Sequence, residues 1–385
     1  MEQKIVRITT IPLSLEKLLE GQLAYMSQYY ELIAVSSDKD RLEVYGKNEG
    51  VRTFPLELTR KITPWQDLKA VYGLYRFLKK ERPEIVHTHT PKAGLVGMMA
   101  SYFARVPLRL HTVAGLPLME ATGLKRQLLN FIERLTYAFA THVYPNSHGL
   151  KKIILDCGFT SVKKLKVLGP GSSNGIDTQY FSKTKYDLLV VNEIKARHNI
   201  PQDDFIFIFV GRIVKDKGIN ELISAFNRLQ KIHPSCTLLL IGDYESDIDP
   251  ISPDSRDQII KHPKIINTGF KQDVRPYLAI SDVLVHPSYR EGFPNVLLQG
   301  GAMELPLIVT DINGSNEIVN HGENGLICPK KDEDSLFKAM CTVLEDKTLL
   351  SKLRTNARPS ITGNYERQVL FSSIRQEYEH LLKNL

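Results

Sequence analysis

Two basic residues in the second half of the chain have the chemistry to hold a diphosphate. Arg212 and Lys217 lie in the segment Gly211-Arg-Ile-Val-Lys-Asp-Lys-Gly218, directly after the apolar run 205–210. An arginine grips phosphate oxygens with a planar fork, and a lysine acts as a point charge. Gly211 lets the chain turn tightly there. The glycine spacing fits neither a Walker loop nor a dinucleotide-binding fingerprint, and surface charge flanking a turn is the alternative interpretation.

A second segment combines a carboxylate with the start of a predicted helix. Glu291 is followed by Gly-Phe-Pro-Asn-Val, and Gln299 lies about two turns into the helical pattern. Free N–H groups and the dipole at a helix N-terminus attract an anion, which suits a distal phosphate. Glu291 then lies beside the attached sugar, and Gln299 can bond ribose hydroxyls. The predicted donor-binding residues of this loop are Gly292, Phe293, Pro294, Asn295 and Val296. A helix-start carboxylate stabilised by the dipole explains Glu291 equally well.

Histidines end two predicted strands in the first half of the chain. One segment is His87-Thr-His89-Thr-Pro-Lys92-Ala-Gly, and the other begins with His111. At the carboxyl ends of parallel strands these side chains are expected to face a crevice rather than the core. Zinc is a weaker hypothesis than hydrogen bonding because no third ligand is spaced nearby. A lone histidine is usually structural, so each of these histidines is a functional candidate only together with the other motifs.

The elements that position these residues alternate between strands and helices. The predicted strands are 5–9, 31–35, 84–87, 108–113, 142–144 and 165–168, then 205–210, 237–241, 264–268, 283–286 and 307–310. The clearest predicted helices are 65–80, 124–140, 219–230 and 365–383. This order predicts two parallel, doubly wound α/β domains, with a ligand crevice at the carboxyl ends of the strands. The polar, glycine-rich stretch 171–201 is the expected connection between them.

Composition and charge limit the function classes. The chain has 385 residues with 42% hydrophobic content, enough for two cores. Its net charge is +7, and residues 1–170 hold 25 Lys and Arg against 15 Asp and Glu. A basic half suits an anionic partner, although solvated surface charge is an equal alternative. No nucleic-acid module, membrane span or signal peptide is expected. The four scattered cysteines favour a reduced, cytoplasmic, metal-free protein.

Taken together, these segments closely resemble the retaining family 4 glycosyltransferases of the GT-B fold. The nearest likeness is to bacterial enzymes that build capsular polysaccharides and lipid-linked glycans. It covers nearly the whole chain, and it rests on the order of the weak motifs rather than on any one of them. The matching pieces are the His87 and His111 segments, residues 171–177, Gly211-Arg212 with Lys217, Ser281-Asp282, Glu291-Gly-Phe-Pro-Asn295 and residues 311–317.

The resemblance implies a fold and a site. Two Rossmann-like domains, 1–182 and 183–364, face a central cleft, and a final helix within 365–385 crosses back to the first. Arg212 and Lys217 hold the donor diphosphate, Glu291 contacts the transferred sugar, and His111 lies near that sugar; these four are the predicted catalytic residues. The segment Thr268-Gly269-Phe270 meets the nucleotide base. His87, His89 and Lys92 are placed on the acceptor side.

The implied reaction is metal-independent transfer of a hexose or N-acetylhexosamine, with retention, from a nucleoside diphosphate, most simply UDP. No cofactor and no metal are expected. The implied acceptor is a polyprenyl-diphosphate-linked saccharide. Basic amphipathic segments at 75–80 and 124–135 suit contact with an anionic membrane surface, on the inner face of the cytoplasmic membrane. Ordinary packing of these helices on the sheet is the alternative.

Two departures from the family pattern keep other functions open. Gln299 replaces the second glutamate of the Glu-x7-Glu motif, which usually binds ribose, so a catalytically silent nucleotide-sugar-binding protein is one alternative. A sugar-nucleotide epimerase on the same fold is another, although the Glu291, Arg212 and Lys217 motifs match the transferases better. The loop 9–15 lacks the paired glycines of the family, which leaves its acceptor contacts open.

Overall fold

The computed structural model describes residues 3–59, 63–245 and 249–385, and the chain divides into two compact units. The first unit comprises Met1–Asn174 and Arg367–Leu385. Its strands are β1 (Lys4–Ile8), β2 (Glu31–Ser36), β3 (Arg52–Pro55), β4 (Ile85–Thr88), β5 (Leu108–Val113) and β6 (His142–Pro145). Its helices begin with α1 (Pro12–Leu18), α2 (Gln22–Met26), α3 (Lys39–Glu49), α4 (Pro64–Glu81), α5 (Pro91–Ala104), α6 (Gly123–Phe139) and α7 (His148–Asp156).

The second unit, Gly175–Glu366, repeats the plan. Its strands are β7 (Phe205–Val210), β8 (Cys236–Ile241), β9 (Ile265–Asn267), β10 (Val283–His286), β11 (Leu307–Thr310) and β12 (Gly325–Cys328). Its helices are α8 (Leu188–Arg197), α9 (Ile219–Ile232), α10 (Pro253–Lys261), α11 (Arg275–Ala279), α12 (Asn295–Ala302), α13 (Ser315–Ile318), α14 (Glu333–Glu345) and α15 (Lys347–Thr362). The final helix, α16 (Arg367–Lys383), belongs to the first unit.

Each unit contains a parallel sheet of six described strands. The orders are β3-β2-β1-β4-β5-β6 and β12-β11-β10-β7-β8-β9. The order reverses between β1 and β4 in the first sheet and between β7 and β10 in the second. Loops at the carboxyl ends of strands flank such a reversal and leave room for a ligand. The fold confirms the prediction of two doubly wound α/β domains.

Apolar side chains cover both faces of the first sheet. On one face, Val6, Val86 and Val143 pack with helices α4 to α7. On the other, Ile5, Ile85 and Leu110 pack with α1 to α3 and α16. The alternation of neighbouring strand residues between the two faces follows from the two-residue repeat of a strand.

Three expectations about elements differ from the structure. Residues 165–168 form no strand; Leu165 makes only an isolated bridge to Val143, and its apolar neighbours serve the core. Strands β3 and β12 were not predicted, because β3 is a half-exposed edge and β12 is short and begins with glycine. Helix α8 lies within the expected connection 171–201.

The segment 175–182, assigned to the first domain by sequence, packs in the second unit. Ile176 and Phe181 are buried in its core, and Ile176 pairs with the chain near Glu366. The units therefore meet in sequence at 174/175 and 366/367, where 182/183 and 364/365 were predicted. Among the described residues, no helix is both long and apolar enough to span a bilayer.

Candidate active site

The predicted donor residues lie where the strand order of the second sheet reverses. Strands β7 and β10 are neighbours, with Phe207 paired to Val283. Arg212 and Lys217 follow β7, and Glu291 follows β10, so two segments far apart in sequence emerge side by side. Because both strands are parallel, their carboxyl ends lie on the same edge of the sheet.

Lys217, Glu291 and His286 form one compact cluster. The ammonium of Lys217 contacts Oε1 of Glu291, and His286 Nε2 lies 2.9 Å from the same oxygen. The side chains of Lys217 and Glu291 are each 15% exposed, and His286 is buried. Burial alone would raise the pKa of Glu291, but the charge of Lys217 and the hydrogen bond from His286 outweigh it and hold that pKa well below its usual range. Glu291 is therefore ionised, and its carboxylate accepts a hydrogen bond from the Nε2–H group of His286.

Arg212 also has a carboxylate partner, but a looser one. Its NH1 lies 2.6 Å from Glu245 Oε2, and the two side chains are 44% and 34% exposed. An exposed pair of this kind contributes little to stability, about 0–1 kcal/mol. Both predicted phosphate-binding cations are thus paired with carboxylates in this structure, one tightly and one weakly.

The loops that carry Lys217 and Glu291 are joined to each other. Arg290 NH2 lies 2.7 Å from Asp216 Oδ2, and the Tyr289 N–H donates to the Asp216 carbonyl at 2.8 Å. Gly218 has φ +70°, and a Cβ there would lie 2.1 Å from the Pro287 carbonyl oxygen. Only glycine permits this close approach and this backbone conformation. The two loops therefore hold each other in register.

The loop after Glu291 leads into a helix start suited to an anion. Helix α12 begins at Asn295, and no side chain caps it. The first N–H groups of a helix have no intrahelical acceptor, so those of α12 lack both kinds of partner. Asn313 Nδ2 donates to the carbonyls of Glu291 and Gly292. A Cβ at Gly314 would lie 2.6 Å from the Gly292 carbonyl oxygen. Asn313 and Gly314 thus shape the loop 291–294 from behind.

The predicted base-binding segment lies on the same sheet edge. The Phe270 N–H donates to Asp243 Oδ1 at 3.0 Å, and the Gly242 N–H donates to the Gly269 carbonyl at 3.0 Å. A Cβ at Gly242 would lie 1.9 Å from the Gly211 carbonyl oxygen. The ends of β7, β8 and β9 are therefore in close contact, and Phe270 projects as an exposed ring.

Thr268 and Gln299 complete the predicted donor set. Thr268 begins the same segment, and its N–H donates to the Leu240 carbonyl at 3.0 Å. The Gln299 side chain, on α12, is half-buried and makes no hydrogen bond within the described part of the chain. It is free to bond a ligand.

The first unit holds a buried arginine at its own strand reversal, and sequence reasoning missed it. Arg7, on β1, is fully buried and has no carboxylate partner among residues 3–59, 63–245 and 249–385. Its guanidinium donates to His89 Nε2 at 3.0 Å, to the Tyr378 hydroxyl at 2.9 Å and to Gln22 Oε1. Tyr378 lies on α16, so this network ties the final helix to β1. An arginine inside an apolar strand was the available sequence signal.

The hydrogen bonds around Arg7 fix how the two histidines are protonated. His89 Nε2 accepts from Arg7, so His89 is neutral with its proton on Nδ1. Tyr378 accepts from Arg7 and donates to His87 Nδ1, which leaves His87 Nε2 to donate to Thr112 Oγ1 at 2.7 Å. Burial and then the positive charge of Arg7 lower the pKa of His87, and both lower that of His89 as well. Both histidines are buried in this network, rather than open at a crevice as expected.

His111 and Lys92 also have partners within the first unit. His111 Nδ1 lies 2.7 Å from Thr88 Oγ1, and its Nε2 has no hydrogen-bond partner among the described residues. Burial lowers the pKa of His111 to about 4, so it is neutral. Lys92 is bound to both carboxylate oxygens of Asp67, at 2.6 and 2.5 Å. Among the three histidines, two ring nitrogens have no hydrogen-bond partner in the described part of the chain: the buried Nδ1 of His89 and the Nε2 of His111.

The described residues contain no group of three or more His, Cys, Asp or Glu placed to hold a metal ion.

The residues to which the sequence assigned no role are His286, the Asp216–Arg290 pair, Asn313 and Gly314 in the second unit. Arg7, Gln22 and Tyr378 are their counterparts in the first. The Asp216–Arg290 and Arg7–Tyr378 contacts join elements that are distant in sequence, whereas His286 and Glu291 are five residues apart.

Known proteins resemble this chain over its whole length. A family model described as "Glycosyl transferase 4-like domain" matches residues 24–171, and one described as "Glycosyl transferases group 1" matches residues 190–360. The capsular polysaccharide biosynthesis glycosyltransferase CapM of Staphylococcus aureus is 32% identical over 385 residues, 99% of this chain and 98% of CapM. A UDP-Gal:alpha-D-GlcNAc-diphosphoundecaprenol alpha-1,3-galactosyltransferase of Escherichia coli is 28% identical over 347 residues, 88% of this chain and 86% of that enzyme.

Solved structures agree on the fold. HepE of Anabaena, crystallised with UDP and glucose, matches with a TM-score of 0.82 at 18% identity, covering 98% of this chain and all (100%) of HepE. A glycosyltransferase of Rickettsia africae matches with a TM-score of 0.80 at 18% identity over 100% of both chains. The chain therefore belongs to the group 1, 4-like glycosyltransferases, and its fold is GT-B.

Proposed function

We propose that this glycosyltransferase moves a hexose or N-acetylhexosamine from UDP to a lipid-linked saccharide during synthesis of a surface polysaccharide. The observation that carries the proposal is the convergence of Arg212, Lys217, Glu291 and the start of α12 at the strand reversal of the second sheet. Two cations beside free N–H groups suit a diphosphate, and a fixed carboxylate beside them suits the hydroxyls of a sugar.

The relatives supply the substrate classes. The E. coli relative is named for a UDP-galactose donor and a diphosphoundecaprenol-linked acceptor. A Campylobacter jejuni relative, 22% identical over 346 residues, is named as an N-acetylgalactosaminyltransferase acting on a diphospho-undecaprenol-linked sugar. CapM is named for capsular polysaccharide biosynthesis. We extend these classes to this chain, whose acceptor would then sit in the inner face of the cytoplasmic membrane.

The proposed chemistry is a front-face substitution with retention. The bond between the anomeric carbon and the donor phosphate oxygen breaks, and the nucleoside diphosphate leaves with its electron pair. The acceptor oxygen forms the new bond on the same face, and its proton passes to the leaving diphosphate. Arg212, Lys217 and the α12 N–H groups stabilise the leaving charge, the work that a metal ion does elsewhere. Glu291 and His111 position the sugar.

Donor binding requires an exchange of partners. Lys217 contacts Glu291 and Arg212 contacts Glu245 in the structure. A bound diphosphate draws both cations toward itself, and Glu291 then turns its free oxygen to the sugar while His286 keeps hold of Oε1. Gln299, an amide where the family has a carboxylate, can still donate to and accept from ribose hydroxyls.

The test is a panel of UDP-, GDP- and other nucleotide-sugars with EDTA present, followed by thermal shift, product analysis and anomeric NMR. A transferase releases nucleoside diphosphate and a longer glycan with the donor's anomeric configuration. An isomerised donor would identify an epimerase, and binding without product, unchanged after Gln299→Glu, would identify a silent binding protein. Loss of turnover upon EDTA treatment, restored by a divalent ion, would contradict the metal-free mechanism. Lys215→Ala is the matched control for Lys217→Ala, because Lys215 is exposed and has no ion-pair partner in the described ranges.

A further inference from the structure

We propose that the outer surface of helices α4, α5 and α6 docks on an anionic lipid bilayer through exposed apolar and basic side chains. This surface, the α4–α6 face, lies on one side of the first sheet. The inference rests on the proposed function, since a lipid-linked acceptor is what brings the enzyme to a bilayer. It assigns the surface that makes the contact.

Helix α6 turns its apolar stripe to the outside and a more polar side to the sheet. Leu124, Leu128, Phe131 and Leu135 follow a spacing of four, three and four residues and form one stripe. That stripe faces outward, with Leu124 84% exposed and Phe131 62% exposed. The buried side carries Glu133, Thr136 and Tyr137 instead. A surface helix normally does the reverse, so the outward stripe is an apolar face without a partner among the described residues.

Helix α4 presents an alternation of aromatic and basic residues on its outer side. Ala70, Leu74 and Leu78 face the core. The opposite side carries Trp65, Leu68, Lys69, Tyr72, Arg76 and Lys79, and Trp65 is 84% exposed. Tryptophan and tyrosine prefer the boundary between lipid tails and headgroups, where an apolar ring and a polar group are both accommodated.

The charge of α4 complements an anionic surface. Its two acidic residues are bound elsewhere, Asp67 to Lys92 and Glu81 to Lys4 and Arg52. Lys69, Arg76, Lys79 and Lys80 have no ion-pair partner in the described part of the chain and are all exposed. The outer side of the helix therefore holds four uncompensated positive charges among its aromatic rings. Basic residues close to a membrane are attracted to anionic headgroups.

The apolar surface continues from α4 to α5. A groove of about 780 Å³ runs between them, lined by Trp65, Leu68, Tyr72, Tyr75, Met99 and Phe103. Tyr102 and Phe103, at the end of α5, pack against Phe139 of α6. The three helices thus share one surface. An interface with a protein would match aromatic rings to a shaped partner. Uncompensated cations on α4, beside exposed apolar and aromatic side chains of all three helices, suit a planar anionic surface instead.

The test uses Trp65, which is the one tryptophan in the sequence and lies on the α4–α6 face. Protein is titrated with vesicles of equimolar phosphatidylglycerol and phosphatidylcholine, and with vesicles of phosphatidylcholine alone, without any acceptor. We expect Trp65 emission to shift to the blue and to be quenched by brominated lipid with the anionic vesicles only. No change in Trp65 emission with anionic vesicles overturns the proposal.

Variants identify the surface by co-sedimentation. Lys69→Glu with Arg76→Glu, and separately Leu124→Ser with Phe131→Ser, should each weaken vesicle binding at least about tenfold. The matched controls lie in the second unit: Lys231→Glu with Lys338→Glu, and Leu188→Ser with Leu189→Ser, which are exposed as well. Controls that weaken binding as much as the face variants overturn the assignment. A doubled mass in light scattering that falls only in the face variants also overturns the assignment, because the α4–α6 face is then a dimer interface.

Transfer to a short-chain, water-soluble acceptor separates this inference from the proposed function. Face variants should keep that activity and lose transfer to an acceptor in vesicles. Vesicle binding without transfer from any donor would overturn the proposed function and leave the face intact. Transfer to vesicle-embedded acceptor that is equal in wild type and face variants would overturn the face and leave the function intact.

Discussion

The imidazole of His286 donates to the same carboxylate oxygen of Glu291 that Lys217 contacts, at 2.9 Å. When a donor draws Lys217 away, His286 is the remaining group that orients Glu291. We therefore expect His286→Leu to lower kcat about tenfold to a hundredfold, the worth of one hydrogen bond to a charged group, with a smaller change in the donor KM. His286→Gln keeps an N–H donor and should restore much of the loss. Equal losses in the two variants would show that the ring supports only packing.

Lys217 has two roles that a double-mutant cycle separates. Lys217→Ala leaves Glu291 as a buried carboxylate without its counter-charge, which costs on the order of 3–5 kcal/mol of stability. It should also lower kcat about a hundredfold to a thousandfold. Adding Glu291→Gln should recover the apparent melting temperature, and the turnover of the double variant should stay well below that of Glu291→Gln alone. Equal turnover in the double variant and in Glu291→Gln would mean that Lys217 acts only through Glu291 and folding.

Glu245 competes with the donor for Arg212. The ion pair is half-exposed, so its removal should change stability by less than about 1 kcal/mol. Glu245→Gln should therefore lower the donor KM a few-fold with kcat unchanged, measured by steady-state kinetics at low salt. A raised KM would mean instead that Glu245 helps to hold Arg212 in its binding position.

Gly94 makes room for the imidazole of His111. A Cβ at Gly94 would lie 2.5 Å from Cε1 of that ring, so Gly94→Ala must displace it. We expect at least about a tenfold fall in kcat, because small misplacements of positioning groups are costly. Gly73→Ala on α4 is the control, since its Cβ would meet only Leu56 Cδ1 at 3.8 Å. Comparable kinetics in the two variants would remove His111 from the catalytic set.

Glu133 makes the first unit sensitive to pH. Burial raises the pKa of Glu133 from 4.5 to about 7. The folded protein thus binds this proton more tightly than the unfolded chain, and the free energy of unfolding falls as the pH rises from 4.5 to about 7. The loss is about 3 kcal/mol at most. Glu133→Gln should match the wild type below pH 4.5 and melt higher above pH 7; equal melting at both would refute the buried charge.

Strands made mostly of buried apolar residues could be predicted to within a residue. Residues 205–210 and 283–286 were predicted as strands and are β7 and β10. The stretch 165–168 failed, because burial and strand pairing leave the same apolar pattern in a sequence. Helix α6 shows a related limit: its amphipathic period was visible, but the period does not state which side faces the sheet. Glu133 on the inner side reverses the usual inference.

The residues of the candidate site also divide into those that the sequence could identify and those that it could not. Arg212, Lys217 and Glu291 have spacings that can be recognised along the chain. Asn313 and Gly314 lie in the matched segment 311–317, but the sequence assigned them no role, because they act by contacting the loop after β10. His286 is five residues from Glu291, and their contact depends on how that loop folds. The burial of His87 and His89 could not be predicted without Arg7 and Tyr378, which lie at opposite ends of the sequence.

The final helix makes the second unit an insertion within the first. Residues 175–366 form one continuous stretch whose two ends pair, with the Ile176 N–H donating to the Tyr365 carbonyl at 2.9 Å. A gene fragment ending at codon 174 would lack Tyr378 and leave the Arg7 guanidinium buried and short of an acceptor. The second unit, by contrast, is one uninterrupted stretch of chain. Hybrid enzymes with altered donor choice are therefore best built by replacing 175–366 while both flanking segments come from one parent.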